Sequence, residues 1–361
     1  MAVVQGTRIY TPLCELLGIQ HPIILAGMNV ASGPRLAAAV CNAGGLGVIG
    51  GLGHTPERLQ SQIEKLKADL VDKNAPFGVD LLIPKVGEGA RKTNKDYTEG
   101  RLPELIDIII ASGARLFVCA VGVPPEWAVK KLHSAGILVM NMIGAPKHVA
   151  YALDAGVDII CAQGGEGGGH TGDVATSILI PVVVDRVKNS RSPLTGGPVH
   201  VVAAGGIFDG RGLAAALCWG AQAVWVGTRF VCATEAGAPK RHQQAIVDAD
   251  FHDTVRTLIF TGRPLRVIKN PYIEDWETNR AEEIKRLTSQ GIIPNAREAE
   301  LRKDADISTE ERLMMFPHLS GQVAGAITRV QPAREIVDEM VAGAVAALAQ
   351  SAAFIVPAAK L

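Results

Sequence analysis

The chain is poor in aromatic residues, which fill 4% of its 361 positions, and it carries no charge excess, with 36 basic residues balancing 36 acidic ones. Without a basic surplus there is no electrostatic footprint for nucleic acid or anionic lipid, which points to small-molecule partners. Cysteine is scarce. Cys14, Cys41, Cys119, Cys161, Cys218 and Cys232 occur singly, without CxxC pairs or metal-like spacing. That excludes a disulfide framework and reads as reduced core residues of an intracellular protein. No H-E-x-x-H, H-x-x-E-H or Cys/His ligand set appears, so no metal site is expected. There is also no G-x-S-x-G elbow and no Cys–His nucleophile pair. Residues 1–10 lack the basic and apolar regions of a secretory signal. The longest apolar run, 341–359, is mostly Ala and Gly and is broken by Gln350, Ser351 and Pro357. It is expected to be a packed C-terminal helix and not a membrane span.

What the chain has in excess is glycine: 39 residues, where average usage of about 7% would give roughly 25. With 48% apolar and 20% charged residues and no G-X-Y period, collagen and disorder are both excluded. Short apolar runs rich in Val and Ile alternate with helix-length segments over the first two thirds. They fall at 22–26, 46–49, 77–82, 116–118, 138–142, 158–162, 199–203 and 223–226. Most are apolar at successive positions, as in parallel strands covered on both faces, and helix start and stop signals lie between them. Eight such units fit an α/β fold of the (β/α)8 barrel type, with a doubly wound parallel sheet as the competing topology. The count favours the barrel. We expect it over residues 1–238, with an insertion at 84–103 that could act as a lid, and a mostly helical addition over 239–361 whose last helix packs back on the barrel.

In a barrel, chemistry sits in the loops that follow the strands. The loop after the sixth run reads Gln163-Gly164-Gly165-Glu166-Gly167-Gly168-Gly169-His170-Thr171-Gly172-Asp173. Five glycines in seven positions leave Gln163, Glu166 and His170 as the reactive groups there. After the seventh run comes Ala204-Gly205-Gly206-Ile207, and after the eighth Trp225-Val226-Gly227-Thr228-Arg229. These last two loops, with a short helix start, form the usual phosphate site of such barrels, where backbone N–H groups and the helix dipole favour an anion. After the first run, Ala26-Gly27-Met28 places small residues at the mouth. A phosphate-anchored planar ligand and one imidazole able to take a proton or steady an anion are the outcome. Flavin mononucleotide satisfies both.

These motifs carry a resemblance. Pro22 through Met28, Asn42-Ala43-Gly44-Gly45-Leu46-Gly47, Gln163 through His170 with Gly172, Ala204-Gly205-Gly206-Ile207 and Gly227-Thr228-Arg229-Phe230 are similar to those of the nitronate monooxygenases, formerly 2-nitropropane dioxygenases. The match runs from residue 10 to about 235, and more loosely to Gly321-Gln322. The resemblance implies a (β/α)8 fold, FMN as cofactor, and oxidative denitrification of a nitronate or nitroalkane with O2 to a carbonyl compound and nitrite. It implies His170 as the catalytic base. Ala26, Gly27 and Met28 would line the flavin ring, and Gln163 and Gly168 would reach the flavin and its ribityl chain. Gly205, Gly206, Gly227 and Thr228 would serve the phosphate, with Trp225 and Val226 leading into that loop. Asp80 stands where many members have an Asn that contacts the flavin. A carboxylate beside an anionic reduced flavin is unfavourable, so Asp80 fits that place as a neutral acid or a donor.

Two alternatives stay open at this point. The family's flavin reductases, which pass hydride from NAD(P)H to enoyl thioesters or quinones, share much of the pattern, and a non-catalytic phosphate-ligand barrel would share the phosphate loops. IMP dehydrogenase-like barrels share them too, but need a nucleophilic Cys in the loop where this chain has His170. The terminal Ala359-Lys360-Leu361 is close to the S-K-L peroxisomal address, which predicts peroxisomal import in a eukaryote and a cytoplasmic protein otherwise. A homo-oligomer is compatible with the sequence.

Overall fold

The computed structural model describes residues 9–355; Ala359-Lys360-Leu361 and most of the N-terminal segment read for a signal lie outside that range. Eleven strands are present: β1 (Ile23–Leu25), β2 (Gly47–Gly50), β3 (Phe77–Leu82), β4 (Leu116–Ala120), β5 (Leu138–Ile143), β6 (Ile159–Gln163), β7 (Gly169–His170), β8 (His200–Ala204), β9 (Ala223–Val226), β10 (Thr254–Thr257) and β11 (Leu265–Ile268). Eight of them form one parallel sheet in the order β1-β9-β8-β6-β5-β4-β3-β2. A parallel bridge between Ile24 and Leu46 joins β1 to β2 and closes the ring. The eight strands coincide with the eight apolar runs, and the fold is a (β/α)8 barrel.

Period-2 alternation divides each strand between two cores. Ile24, Val48, Val118, Met140, Cys161, Val202 and Trp225 fill the inside of the barrel. Ile23, Val79, Phe117, Val139, Ile160, Val201 and Val224 point outward against the helices. The bottom is plugged by the helix Pro12–Leu17, whose Leu13, Cys14 and Leu17 join the inner core. Its ends show why it is so short. Thr11 caps the start by accepting the Cys14 N–H at 3.3 Å, Pro12 fills the first position, and Gly18 closes it at φ 75°. The helix Pro34–Asn42 runs over the span expected from its Pro start and the Ala43-Gly44-Gly45 stop.

Residues 239–355 contain helices but also the hairpin β10–β11. β11 pairs in turn with β7, so the Gly169–His170 segment of the glycine-rich loop is the third strand of an antiparallel sheet. The final helix, Ala333–Ala352, lies on the helix Gly210–Cys218, and its Ile336, Val337, Met340 and Ala344 belong to the same core as the barrel's outer strands. No helix among the described residues is long and apolar enough to cross a membrane. All six cysteines are free and five are buried; Cys218 is exposed, a correction to the reading of all six as core residues, because it ends a helix on the outer layer.

Candidate active site at the barrel mouth

Asp80 points inward from β3 near the top of the barrel and is 2% exposed. Its Oδ1 is buried with no hydrogen-bond partner, and no ion pair to it is found among the described residues. Burial therefore pushes its carboxyl well above the ordinary value, which favours the protonated form. Gly27 makes room for it. A Cβ at Gly27 would lie 2.2 Å from Asp80 Oδ2, so only a glycine lets this loop pass over the acid. Ala26 and Met28 continue the same wall, since a Cβ at Gly227 would stand 3.5 Å from Ala26 Cβ and 3.7 Å from Met28 Sδ. Ser32 fixes Met28 by accepting its N–H at 2.6 Å and donating to its carbonyl at 2.9 Å.

The phosphate-type loops meet on the other side. Gly205 and Gly206 take φ of 90° and 73°, in the left-handed region where glycine is favoured. The helix Thr228–Val231 begins directly after β9, and its first N–H groups have no helical acceptor. A cavity of about 270 Å³ adjoins Gly205 and Gly206 and is bounded by Glu166, Ile207, Phe251 and Gln322. Glu166 does not point free charge into it. Its carboxylate accepts the Thr176 N–H at 3.0 to 3.1 Å and the Thr176 hydroxyl at 2.8 Å, capping the helix Thr176–Val187. A strap from the C-terminal part closes the group: the Gly321 N–H donates to Thr228 Oγ1 at 2.9 Å, and the Gln322 N–H to the Glu166 carbonyl at 3.0 Å.

His170 Nε2 lies 3.0 Å from Thr261 Oγ1 in the turn between β10 and β11. The same hydroxyl receives the Arg263 N–H at 3.3 Å and lies 3.4 Å from the Arg263 carbonyl. If the hydroxyl hydrogen goes to that carbonyl, Nε2 carries the imidazole proton and Nδ1 is the bare, basic nitrogen. Burial, with the nearby Arg263 charge as the smaller cause, pushes the His170 pKa down to about 4. The imidazole is neutral at physiological pH. Gln163 Nε2 donates to the His170 carbonyl at 2.8 Å and reaches Gly168 O at 3.4 Å, which shapes the loop.

Most of the residues expected here come together: Ala26, Gly27, Met28 and Asp80 along one wall, Gly205, Gly206, Gly227 and Thr228 along the other, and Gln163 with His170 between. Trp225 forms part of the floor, buried within the inner core. Three positions differ from expectation. The Val226 side chain packs outward with the helices, and its carbonyl takes the Ala26 N–H at 2.9 Å, so it offers the mouth no side chain. Gly168 abuts the strap, where a Cβ would stand 2.7 Å from the Gly321 nitrogen. Gln163 has its amide nitrogen engaged in the loop and keeps only Oε1 for a ligand. Sequence reasoning missed Thr261, Arg263 and Asn94, which come from segments without spacing signals. The turn glycine and proline of Thr261-Gly262-Arg263-Pro264 were the one available hint.

Glycine-rich loops, a buried acid and a desolvated imidazole gathered at the mouth of the barrel give the arrangement of a (β/α)8 enzyme. The sequence model of the nitronate monooxygenase family matches residues 10–343, and the chain belongs to that family. One relative, 39% identical over 75% of this chain and 69% of its own length, is the (3aS,4S,5R,7aS)-5-hydroxy-7a-methyl-1-oxo-octahydro-1H-indene-4-carboxyl-CoA dehydrogenase of Mycobacterium tuberculosis. Among solved structures, FabK from Thermotoga maritima superposes with a TM-score of 0.77 at 29% identity, covering 96% of this chain and 100% of its own. The nitroalkane oxidase of Streptomyces ansochromogenes gives 0.77 at 27% identity, covering 94% and 99%.

Proposed function

We propose that this protein is an FMN-dependent nitronate monooxygenase that converts alkyl nitronates, and nitroalkanes after loss of a proton, to carbonyl compounds and nitrite with O2. The observation that carries the reading is the neutral imidazole of His170, fixed through Nε2 to Thr261 at a mouth walled by Asp80, Gly27 and the phosphate loops. Gly206, Gly227 and the Thr228 and Arg229 N–H groups would hold the phosphate, and Ala26, Gly27, Met28 and Asp80 would border the ring. When bound there, FMN supplies the electron acceptor and the reaction with oxygen.

The chain's own part is acid–base chemistry and positioning. His170 Nδ1 takes the proton from the carbon beside the nitro group of a neutral nitroalkane. A preformed nitronate needs no such step. Burial weakens the acidity of Asp80 and so disfavours a charge that would repel an anionic substrate or a reduced ring. The strap 320–322 and the insertion 84–103 bring further chain over the mouth, where exclusion of water strengthens each polar contact.

An anaerobic visible spectrum of the purified protein, followed by addition of ethyl nitronate or of NAD(P)H, tests the assignment. A flavin spectrum bleached by the nitronate is expected. His170→Asn should abolish turnover of nitroethane while retaining turnover of ethyl nitronate, and undiminished nitroethane activity in that variant would remove His170 as the base. A second reading, redox of an acyl thioester, is favoured by the exposed Lys85, Arg91, Lys92 and Lys95 on the insertion, which suit a polyphosphate carrier, and by the CoA substrate of the Mycobacterium relative. Bleaching by NAD(P)H and not by nitronate would select it.

A further inference from the structure

The turn between β10 and β11 brings one cation, Arg263, to the barrel mouth. Its Nε donates to Asn94 Oδ1 at 3.0 Å, in the insertion after β3, and its Nη1 donates to the carbonyl of Val121 at 3.1 Å, just after β4. Through its backbone N–H and the Thr261 hydroxyl it is two hydrogen bonds from His170, after β6. The guanidinium thus joins two of the loops that surround the mouth, and the backbone of the same residue links to the third. The attachment is built at a cost in backbone strain. Val121 is held at φ 72°, a left-handed conformation that is a genuine outlier for a β-branched residue. Gly262, at φ 68°, packs its Cα face on Thr93, which seats the turn against the insertion.

No salt bridge to Arg263 is found among the described residues, while Arg91, the charged group that acts on it most, has the same sign, and Tyr97 acts in the opposite direction. Partial burial disfavours its charge, and the imidazole beside it is neutral. Three of its five side-chain N–H groups are without partners in these contacts. An uncompensated, pre-positioned guanidinium next to the proposed base is the electrostatic complement of an anion. A nitronate carries its charge over two coplanar oxygens, the geometry that a guanidinium edge matches with two parallel hydrogen bonds.

Resting on the nitronate reading, we propose that Arg263 is the substrate-binding residue that takes the two oxygens of the nitronate, so that the site selects the anion over the neutral nitroalkane. A lysine keeps the charge without the fork, so Arg263→Lys should be intermediate between wild type and Arg263→Gln.

The test compares steady-state kinetics of wild type, Arg263→Gln and Arg263→Lys on ethyl nitronate and nitroethane, with circular dichroism confirming that each variant is folded. In Arg263→Gln the KM for ethyl nitronate should rise about 10- to 100-fold, with kcat and the nitroethane KM changed much less. An unchanged nitronate KM, or an equal loss on both substrates, would overturn the proposal. A second measurement does not depend on turnover: sodium nitrate, a planar anion of the same shape, should shift the His170 ring resonances in the wild type and not in Arg263→Gln. If the wild type oxidises no nitro compound, the nitronate reading fails, yet a nitrate shift abolished by the substitution still upholds Arg263 as the anion site. Absence of any nitrate shift in the wild type refutes it.

Discussion

Asp80 and His170 face the mouth with opposite departures from their ordinary acidities, and both departures arise from desolvation. For Asp80 the folded value lies above the unfolded one. Below about pH 4 the carboxyl is protonated in both states; as pH rises the unfolded chain ionises and the folded one does not, so stability falls with pH until the folded value is passed. Asp80→Asn removes that dependence. Its unfolding free energy should gain on the wild type by up to about 1.4 kcal/mol per pH unit above about pH 4. Denaturant titrations at a series of pH values check this, and parallel curves would mean that Asp80 is ionised in the folded protein. For His170 the folded value, about 4, lies below the unfolded one. Its contribution to stability is complete above about pH 6.5 and is lost as pH falls toward 4. The same shift sets catalysis: kcat/KM for nitroethane should hold constant on the acid side down to about pH 5 and fall near 4. An acid limb near 6.5 would place the imidazole in water.

The elements were legible in proportion to how far each declares its own environment. The eight barrel strands are buried on both faces, so their apolar runs stand out without reference to any partner. The hairpin β10–β11 does not. Its Arg256 and Arg266 stand opposite one another on one face while Val255, Leu265 and Val267 occupy the other, and the stretch is short enough to be taken for part of a helical region. β7 is two residues inside a glycine run, and nothing in Gly169-His170 signals a strand before Leu265 and Arg266 are brought beside it. The candidate site divides the same way: the glycines and His170 are legible as loop composition, whereas Thr261 and Arg263 acquire meaning only through contacts about 90 residues away in sequence. At this scale Gly210 offers a clear test. A Cβ there would stand 2.3 Å from the Ala344 nitrogen, in backbone that cannot yield as a side chain would. Gly210→Val should separate the two helices and destabilise the protein by about 2–4 kcal/mol in denaturant unfolding, with the flavin spectrum little altered.

For the molecule as a whole, the barrel and the C-terminal part do not have separate cores. Ile336, Val337, Met340 and Val341 complete the layer of apolar side chains around the outer strands, and the strap 320–322 rests on Glu166 and Thr228. A fragment ending at residue 238 would expose that layer to water and leave the glycine-rich loop without β11 and the strap. Expressed alone, it should bind the dye ANS, lack a cooperative thermal transition and retain no flavin. A folded, yellow fragment would show that the barrel is self-sufficient.

The pairing of β7 with β11 also orders events in time. His170 lies in the sixth βα loop, but the strand that holds it ends at Ile268, about 100 residues later. At a synthesis rate of about 5–20 residues per second, the ribosome takes roughly 5–20 s to cover that distance. The last two barrel strands are made within this interval, and once residue 226 is added all eight exist, yet the histidine still has neither its β-partner nor the Thr261 hydroxyl. The nascent chain therefore passes through a stage in which every barrel strand exists while the chemistry is still unset. Activity, measured against chain length on stalled ribosomes, should then be absent when the last barrel strand emerges and appear only at lengths that include the hairpin and the segments after it.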